Sequence, residues 1–195
     1  MNSWSEDGSE QIKASVDTDI LANIPALAAA SNSGANAGAQ SGDINLGVAG
    51  LPVALTKDNV VDFIVRCAVV CDEQNLPETN RWLVIPSKVA GLIKQSDLKD
   101  ASLSGDSKSP LRTGVIGSVD RFTILKSNRV NRSGSEYDIV FGHKSALTFA
   151  GQIAHMEKLK DPDDFGELAR SLFVYGYEVV KPDALGSGVV TAALN

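Results

Sequence analysis

The chain has 195 residues, enough for one substantial domain or two small ones, and 43% are hydrophobic against 22% charged. A chain this long buries about 70% of the surface its unfolded form exposes, so its core requires neither disulfides nor a metal. Its formal charge of −6, from 18 basic and 24 acidic residues, argues against tight nucleic-acid binding, which neutralises phosphates with clustered Lys and Arg.

The start, MNSWSEDGSEQ, lacks the basic and apolar regions of a signal peptide, which predicts folding in a cytoplasm. No run approaches the ~18 uninterrupted apolar residues of a membrane span. Residues 10 to 24 read as a helix, because Ile12, Val16, Ile20 and Ile24 recur every four residues until Pro25 ends the pattern. Residues 28 to 50, with AAASNSGANAGAQSG, offer little to bury and read as a flexible loop.

Thr56 to Asn75 is the clearest helix. Val60, Phe63, Ile64, Cys67 and Cys71 form one stripe, and Val61, Val65, Ala68 and Val69 widen it to a second face. Thr56 or Asp58 caps its start and Pro77 closes it. From Asp58 to Gln74 it spans about 25 Å. Cys67 and Cys71 read as reduced, buried small hydrophobes, since a zinc site needs four ligands and His143 and His155 are the only histidines.

Arg81 to Ile85 is a short apolar run bounded by Pro86, a buried strand with Trp82 and Val84. Ser87 caps a second helix to about Gln95, with Val89, Leu92 and Ile93 inward. Ala101 to Pro110 is a polar loop. Val115 to Leu125 alternates in part, Gly114 and Gly117 mark a bend, Ser127 to Ser135 is a turn, and Tyr137 to Phe141 is a strand paired across it. The basic residues Lys126, Arg129 and Arg132 read as a solvated loop.

Ser145 to Ile153 fits strand and helix equally. Asp161 to Asp164 is a turn with a short helix after it. Phe165 to Leu185 is the most informative stretch: a polar lead-in joins an apolar, aromatic run from Leu172 to Val180, in which Phe173, Tyr175, Tyr177 and Val179 alternate as a strand. Nothing in it serves as nucleophile, base or metal ligand. It is built to pack, against copies of the same chain.

The chain carries none of the local reactive motifs. There is no P-loop, no dinucleotide fingerprint around Gly114 to Gly117 or Gly186 to Gly188, and no Gly-x-Ser-x-Gly elbow. Neither His143 nor His155 lies in a motif that sets a nucleophile beside it. No catalytic residue, cofactor or metal site is assigned. An α/β enzyme with a site assembled in space from loops is the rival reading.

The order of five stretches resembles the major capsid (coat) proteins of tailed bacteriophages, whose shell-forming fold encapsulins share. These are LTKDNVVDFIVRCAVVCDEQNLPETN, RWLVIPSKVAGLIKQSDLKDA, LRTGVIGSVDRFTILKSNRV, YDIVFGHKSALTFAGQIAHMEKLK and FGELARSLFVYGYEVVKPDAL. The resemblance covers about residues 50 to 195, and residues 10 to 50 more loosely. It implies an α+β fold, with an axial domain and a peripheral domain whose long spine helix crosses an antiparallel sheet. On that map residues 1–50 are the N-terminal helix and flexible loop, 51–80 the peripheral spine helix, 81–142 the axial domain with Ala101 to Pro110 near the capsomer centre, and 143–195 the peripheral return strands. Val60, Phe63, Ile64, Cys67 and Cys71 become spine-helix packing, Trp82 and Val84 an axial strand, and Phe173, Tyr175, Tyr177 and Val179 a return strand beneath the spine.

Family members usually carry an N-terminal arm and an extended loop ahead of the spine helix. Only about fifty residues precede it here, as in a fragment or short variant. The implied function is a structural phage or prophage subunit that forms pentamers, hexamers and shells enclosing DNA in the virion, assembled in host cytoplasm with scaffolding and portal proteins as further partners. No sequence-specific nucleic-acid or membrane binding is expected. An encapsulin-like shell around a cargo enzyme is the nearer alternative.

Overall fold

The computed structural model describes residues 2–96, 117–160 and 167–193. Helix α1 runs Asn2–Asn23, starting earlier than the isoleucine spacing implies. Its covered side is the apolar stripe: Val16 and Leu21 are buried and Ile12 and Ile20 half-buried. Pro25, which cannot donate to a continuing helix, sits in the 3-10 turn Ile24–Leu27.

Residues 28 to 50 are irregular but tied down, contrary to the flexible loop expected. Ala37 and Leu46 are fully buried, and Ala37 exchanges backbone hydrogen bonds with Ile44. Asn32, also buried, donates from Nδ2 to the carbonyls of Asp183 (2.7 Å) and Leu185 (3.0 Å) and accepts from Gln74 Nε2 at 2.8 Å. The Glu73 carboxylate accepts the N–H groups of Gln40 and Ser41. Small residues permit this by letting backbones touch. Gly47 has φ of 82°, and a Cβ there would collide with the carbonyl oxygen of Val189.

Strand β1 (Val53–Leu55) leads into helix α2 (Val60–Glu73). Neither Thr56 nor Asp58 caps α2. Asn59 occupies the boundary, and its side chain accepts from Thr56 N–H at 2.7 Å and donates to the Ala54 carbonyl at 2.9 Å. At the other end Asn75, with φ of 55°, turns the chain. Its N–H reaches the Asp72 carbonyl (2.8 Å) and Leu76 N–H the Cys71 carbonyl (3.1 Å), a Schellman ending ahead of Pro77. Val60, Phe63, Ile64, Cys67 and Cys71 are all buried; of the widening residues Ala68 is buried and Val61 packs against the core, whereas Val65 and Val69 face solvent.

Strand β2 (Arg81–Ile85), helix α3 (Ser87–Gln95) and strand β4 (Phe122–Lys126) form a parallel β–α–β unit. Ser87 is the first helical residue and makes no side-chain cap; Asn128 Oδ1 instead accepts its N–H at 3.1 Å. Strand β3 (Ser118–Val119) hairpins onto β4, and β5 (Arg132–Ser133) onto β6 (Glu136–His143). With β9 (Leu185–Ala192) these make a seven-stranded sheet in the order β1-β9-β6-β2-β4-β3, with β5 on β6.

The sheet is mixed rather than antiparallel throughout, because β1·β9 and β2·β4 run parallel. Nor does β6 pair with β4 across the Ser127–Ser135 turn. β2 lies between them: four of its five residues are buried, which suits a central strand taking partners on both edges. One core joins α2, α3 and the sheet, including Phe63, Leu83, Ile93, Phe122 and Phe141. It therefore runs across the expected peripheral–axial boundary at residue 80.

Strands β7 (Leu147–Lys160) and β8 (Glu167–Val179) form a separate antiparallel hairpin that leaves the sheet after β6 and returns before β9. The ambiguous Ser145–Ile153 stretch thus resolves to strand, and residues from Glu167 onward are strand rather than helix. The Asp161–Asp164 turn, Gly114 and the Ala101–Pro110 loop lie outside the described residues.

Candidate assembly surface

The hairpin holds together by cross-strand pairs: Leu147↔Val179, Phe149↔Tyr177, Gly151↔Tyr175 and Ile153↔Phe173 share one face. Tyr175 stacks between Phe149 (6.3 Å) and Phe173 (5.9 Å). Gly151 is the floor of that ladder. A Cβ there would lie 2.7 Å from the Phe173 ring and 3.1 Å from that of Phe149, so glycine lets the rings close over the backbone. A bulge between Ile153 and His155 shifts the register further out.

The root of this face is anchored. Leu147, Tyr177 and Val179 pack against the main core. Helix α1 meets the hairpin: Tyr175 O–H donates to Asp19 Oδ2 at 2.9 Å, and that bond pushes the phenol above its usual titration range. Phe173, Tyr175, Tyr177 and Val179 are accordingly half-buried. The opposite face has no such cover. Leu172 is 57% and Val174 48% exposed, and Val180 just beyond the strand is 58% exposed. On the anchored face, Phe149 and Ile153 are exposed as well. Farther along, Glu157 accepts from Arg170 and lies 3.2 Å from His155 Nε2. Among the described residues no third strand pairs with either outer edge. Leu172 and Val174 escaped the sequence reading because its alternation assigned inward positions and left the intervening ones unremarked.

Elsewhere, Trp82 is half-buried and Val84 buried within β2, on the body rather than the hairpin. The chemistry-bearing groups are held for structure. Cys67 and Cys71 are free, buried thiols; desolvation raises both, Cys71 to about 12, so neither forms a thiolate near neutrality. His143 does meet a serine: its Nδ1 accepts Ser145 N–H at 3.2 Å and lies 2.8 Å from Ser145 Oγ, closing a turn. Burial, then the charges of Lys144, Arg81 and Lys181, push the His143 imidazole below its usual value. No cluster among the described residues has the ligands of a metal site. The surface depressions are shallow; one between α1 and Arg129 is lined by Gln11, Ser15, Thr18 and Asp19, with no nucleophile–base pair. No helix among the described residues is long and apolar enough to cross a membrane.

The His143 shift predicts a pH dependence. Its folded value lies below the unfolded 6.5, so the unfolded chain binds the extra proton and stability falls as pH drops below about 6.5. The melting temperature is expected to decline between pH 7.5 and 5, and His143→Gln to flatten that decline.

No curated protein matches the chain. Its fold is similar to a structure from Mycobacterium phage Che8, at 25% identity and a TM-score of 0.69, covering 96% of this chain and 62% of that one. It is also similar to the capsid of cyanophage P-SCSP1u (17%, TM-score 0.65, covering 100% and 66%) and to the mature capsid of bacteriophage PhiM1 (21%, TM-score 0.61, covering 96% and 64%). The chain thus spans 62% to 66% of the length of these structures. The α+β architecture is that of phage capsids, and the profile of the family described as phage capsid protein matches residues 1–187: the chain belongs to the phage capsid protein family.

Proposed function

We propose that the chain is a structural subunit of an icosahedral phage or prophage shell enclosing DNA, and that it works by associating with copies of itself in five- and six-membered rings. The observation that carries this reading is the β7–β8 hairpin. A lone two-stranded ribbon is marginal in water, and this one carries apolar side chains on both faces along open edges. Such a surface calls for cover from a neighbour, which a ring supplies. Family membership points the same way, toward a structural rather than catalytic role. Scaffolding and portal proteins are the further partners of this reading, host cytoplasm its place of assembly and the virion its destination.

The proposed division into parts follows the strand pairing, since the hairpin is a separate sheet. Residues 30–96, 117–146 and 180–193 carry the sheet body, proposed as the axial part; α1 with the hairpin is proposed as the peripheral part. On this division the spine role is assigned to α1, whose Asp19 accepts from Tyr175 of the hairpin, rather than to α2.

Leu172→Asp with Val174→Asp tests the proposal. Both sites are exposed, so the monomer's melting temperature is expected to change by less than about 2 °C. Rings or shells seen for the parent by size-exclusion chromatography and negative-stain microscopy are expected to disappear. Assembly at parental yield would overturn the assignment of this face.

A further inference from the structure

We infer that Arg121 is an electrostatic latch that holds a strained turn shut, so that β3 stays in place over the outer edge of β4. Asp120 and Arg121 form the two-residue loop between β3 and β4, in which Val119 pairs with Phe122 and Ser118 with Thr123. Their φ values are 43° and 66°, the left-handed region on both, as a type I′ turn demands. That turn favours Asn-Gly. Asparagine or aspartate tolerates the first position, but arginine at the second carries the Cβ clash that makes left-handed backbone unfavourable for L-residues. A turn this poorly suited to its sequence needs compensation from outside.

The compensation is visible. Arg121 Nη2 lies 2.9 Å from Asp72 Oδ2, at the end of α2. Its Nη1 lies 3.0 Å from Glu78 Oε1, and its Nε 3.6 Å from Asp120 Oδ1. Asp72 in turn is fixed by Arg81, whose Nη1 is 2.7 Å from Asp72 Oδ1 and whose side chain is fully buried. The strained loop is thus tied, through Asp72, to a buried guanidinium.

The location gives the latch a purpose. β4 pairs with β2 on one side, and on the other, among the described residues, the two-residue strand β3 covers its first half. When the turn opens, the Phe122–Ile124 part of that edge is bared, and bare edges pair with other chains. The latch keeps that edge closed.

The test is amide hydrogen exchange on the whole chain. Ile124 N–H donates to the Gly117 carbonyl at 3.0 Å and reports closure of β3 on β4; Ser127 N–H donates to the Ile85 carbonyl at 3.0 Å and reports β2–β4 pairing as the reference. Arg121→Ala keeps the strain and removes the ion pairs, so exchange at Ile124 is expected to rise about tenfold with Ser127 unchanged. Asp120→Asn with Arg121→Gly installs the turn's preferred residues without any latch and is expected to restore the parental rate, and to make it insensitive to 1 M NaCl, which speeds opening in the parent. An unchanged Ile124 rate in Arg121→Ala, an equal rise at Ser127, or failure of the Asn-Gly variant to restore closure would each overturn the latch.

Discussion

Phe63→Asp is expected to abolish soluble folding. Phe63 is 2% exposed, at the centre of the α2 stripe and against Gly188 of β9. Deleting a buried phenylalanine ring costs about 3–5 kcal/mol through lost transfer energy and the cavity left behind. An aspartate adds the desolvation of a carboxylate with no counter-charge facing it. Together these exceed a large share of the 5–15 kcal/mol typical of a whole domain. Val65→Asp is the control on the same helix: Val65 is 42% exposed, and its variant is expected to give parental soluble yield. Equal yields from both variants would show that the helix is buried on a different side.

Asp72→Asn is expected to destabilise the chain by about 3 kcal/mol, read as a lowered urea midpoint. The reason lies with its partner. Arg81 has no exposed side-chain surface, and its Nε and Nη2 are already committed to the carbonyls of Pro77 (2.8 Å) and Leu76 (2.6 Å). Among the described residues Asp72 is the carboxylate against Nη1, so neutralising it leaves a buried guanidinium uncompensated. The estimate sits at the low end for buried pairs because the Asp72 side chain keeps 41% exposure. Adding Arg81→Met, which removes the stranded charge, is expected to recover part of the loss; no recovery would mean that Arg81 acts through its carbonyl contacts alone. Acid has a related effect. Burial opposes ionisation of Asp72 but is outweighed by Arg81 and Arg121, so its folded value lies below the usual 3.8. The stability it contributes is present above 3.8 and is lost as pH falls below it.

Much of the body was legible in the residues themselves. α2, β2 and α3 announce themselves because periodicity of four, a bounded apolar run and then periodicity again are local signals, and Pro77 and Pro86 set their limits. What was illegible is non-local. The residues of β4 and β6 say nothing of the strand that separates them, since that depends on where β2 finds its partners. The 28–50 segment looked unstructured because it has few large side chains to bury. It is ordered through backbone contacts that small residues permit, and composition does not report those. Apolarity also overstated burial. Val65 and Val69 read as part of a packed face but are 42% and 40% exposed. Arg81, at the head of an apolar run, was the overlooked sign of a buried charge awaiting a partner.

The chain leaves the sheet at the end of β6 and re-enters at the start of β9, where Gly142 faces Leu185 as a paired register position. Departure and return are therefore adjacent, like two posts of a single gate. The projecting ribbon is an appendage on a closed frame, and its reach can be lengthened, shortened or re-angled by evolution without reopening the frame that carries it.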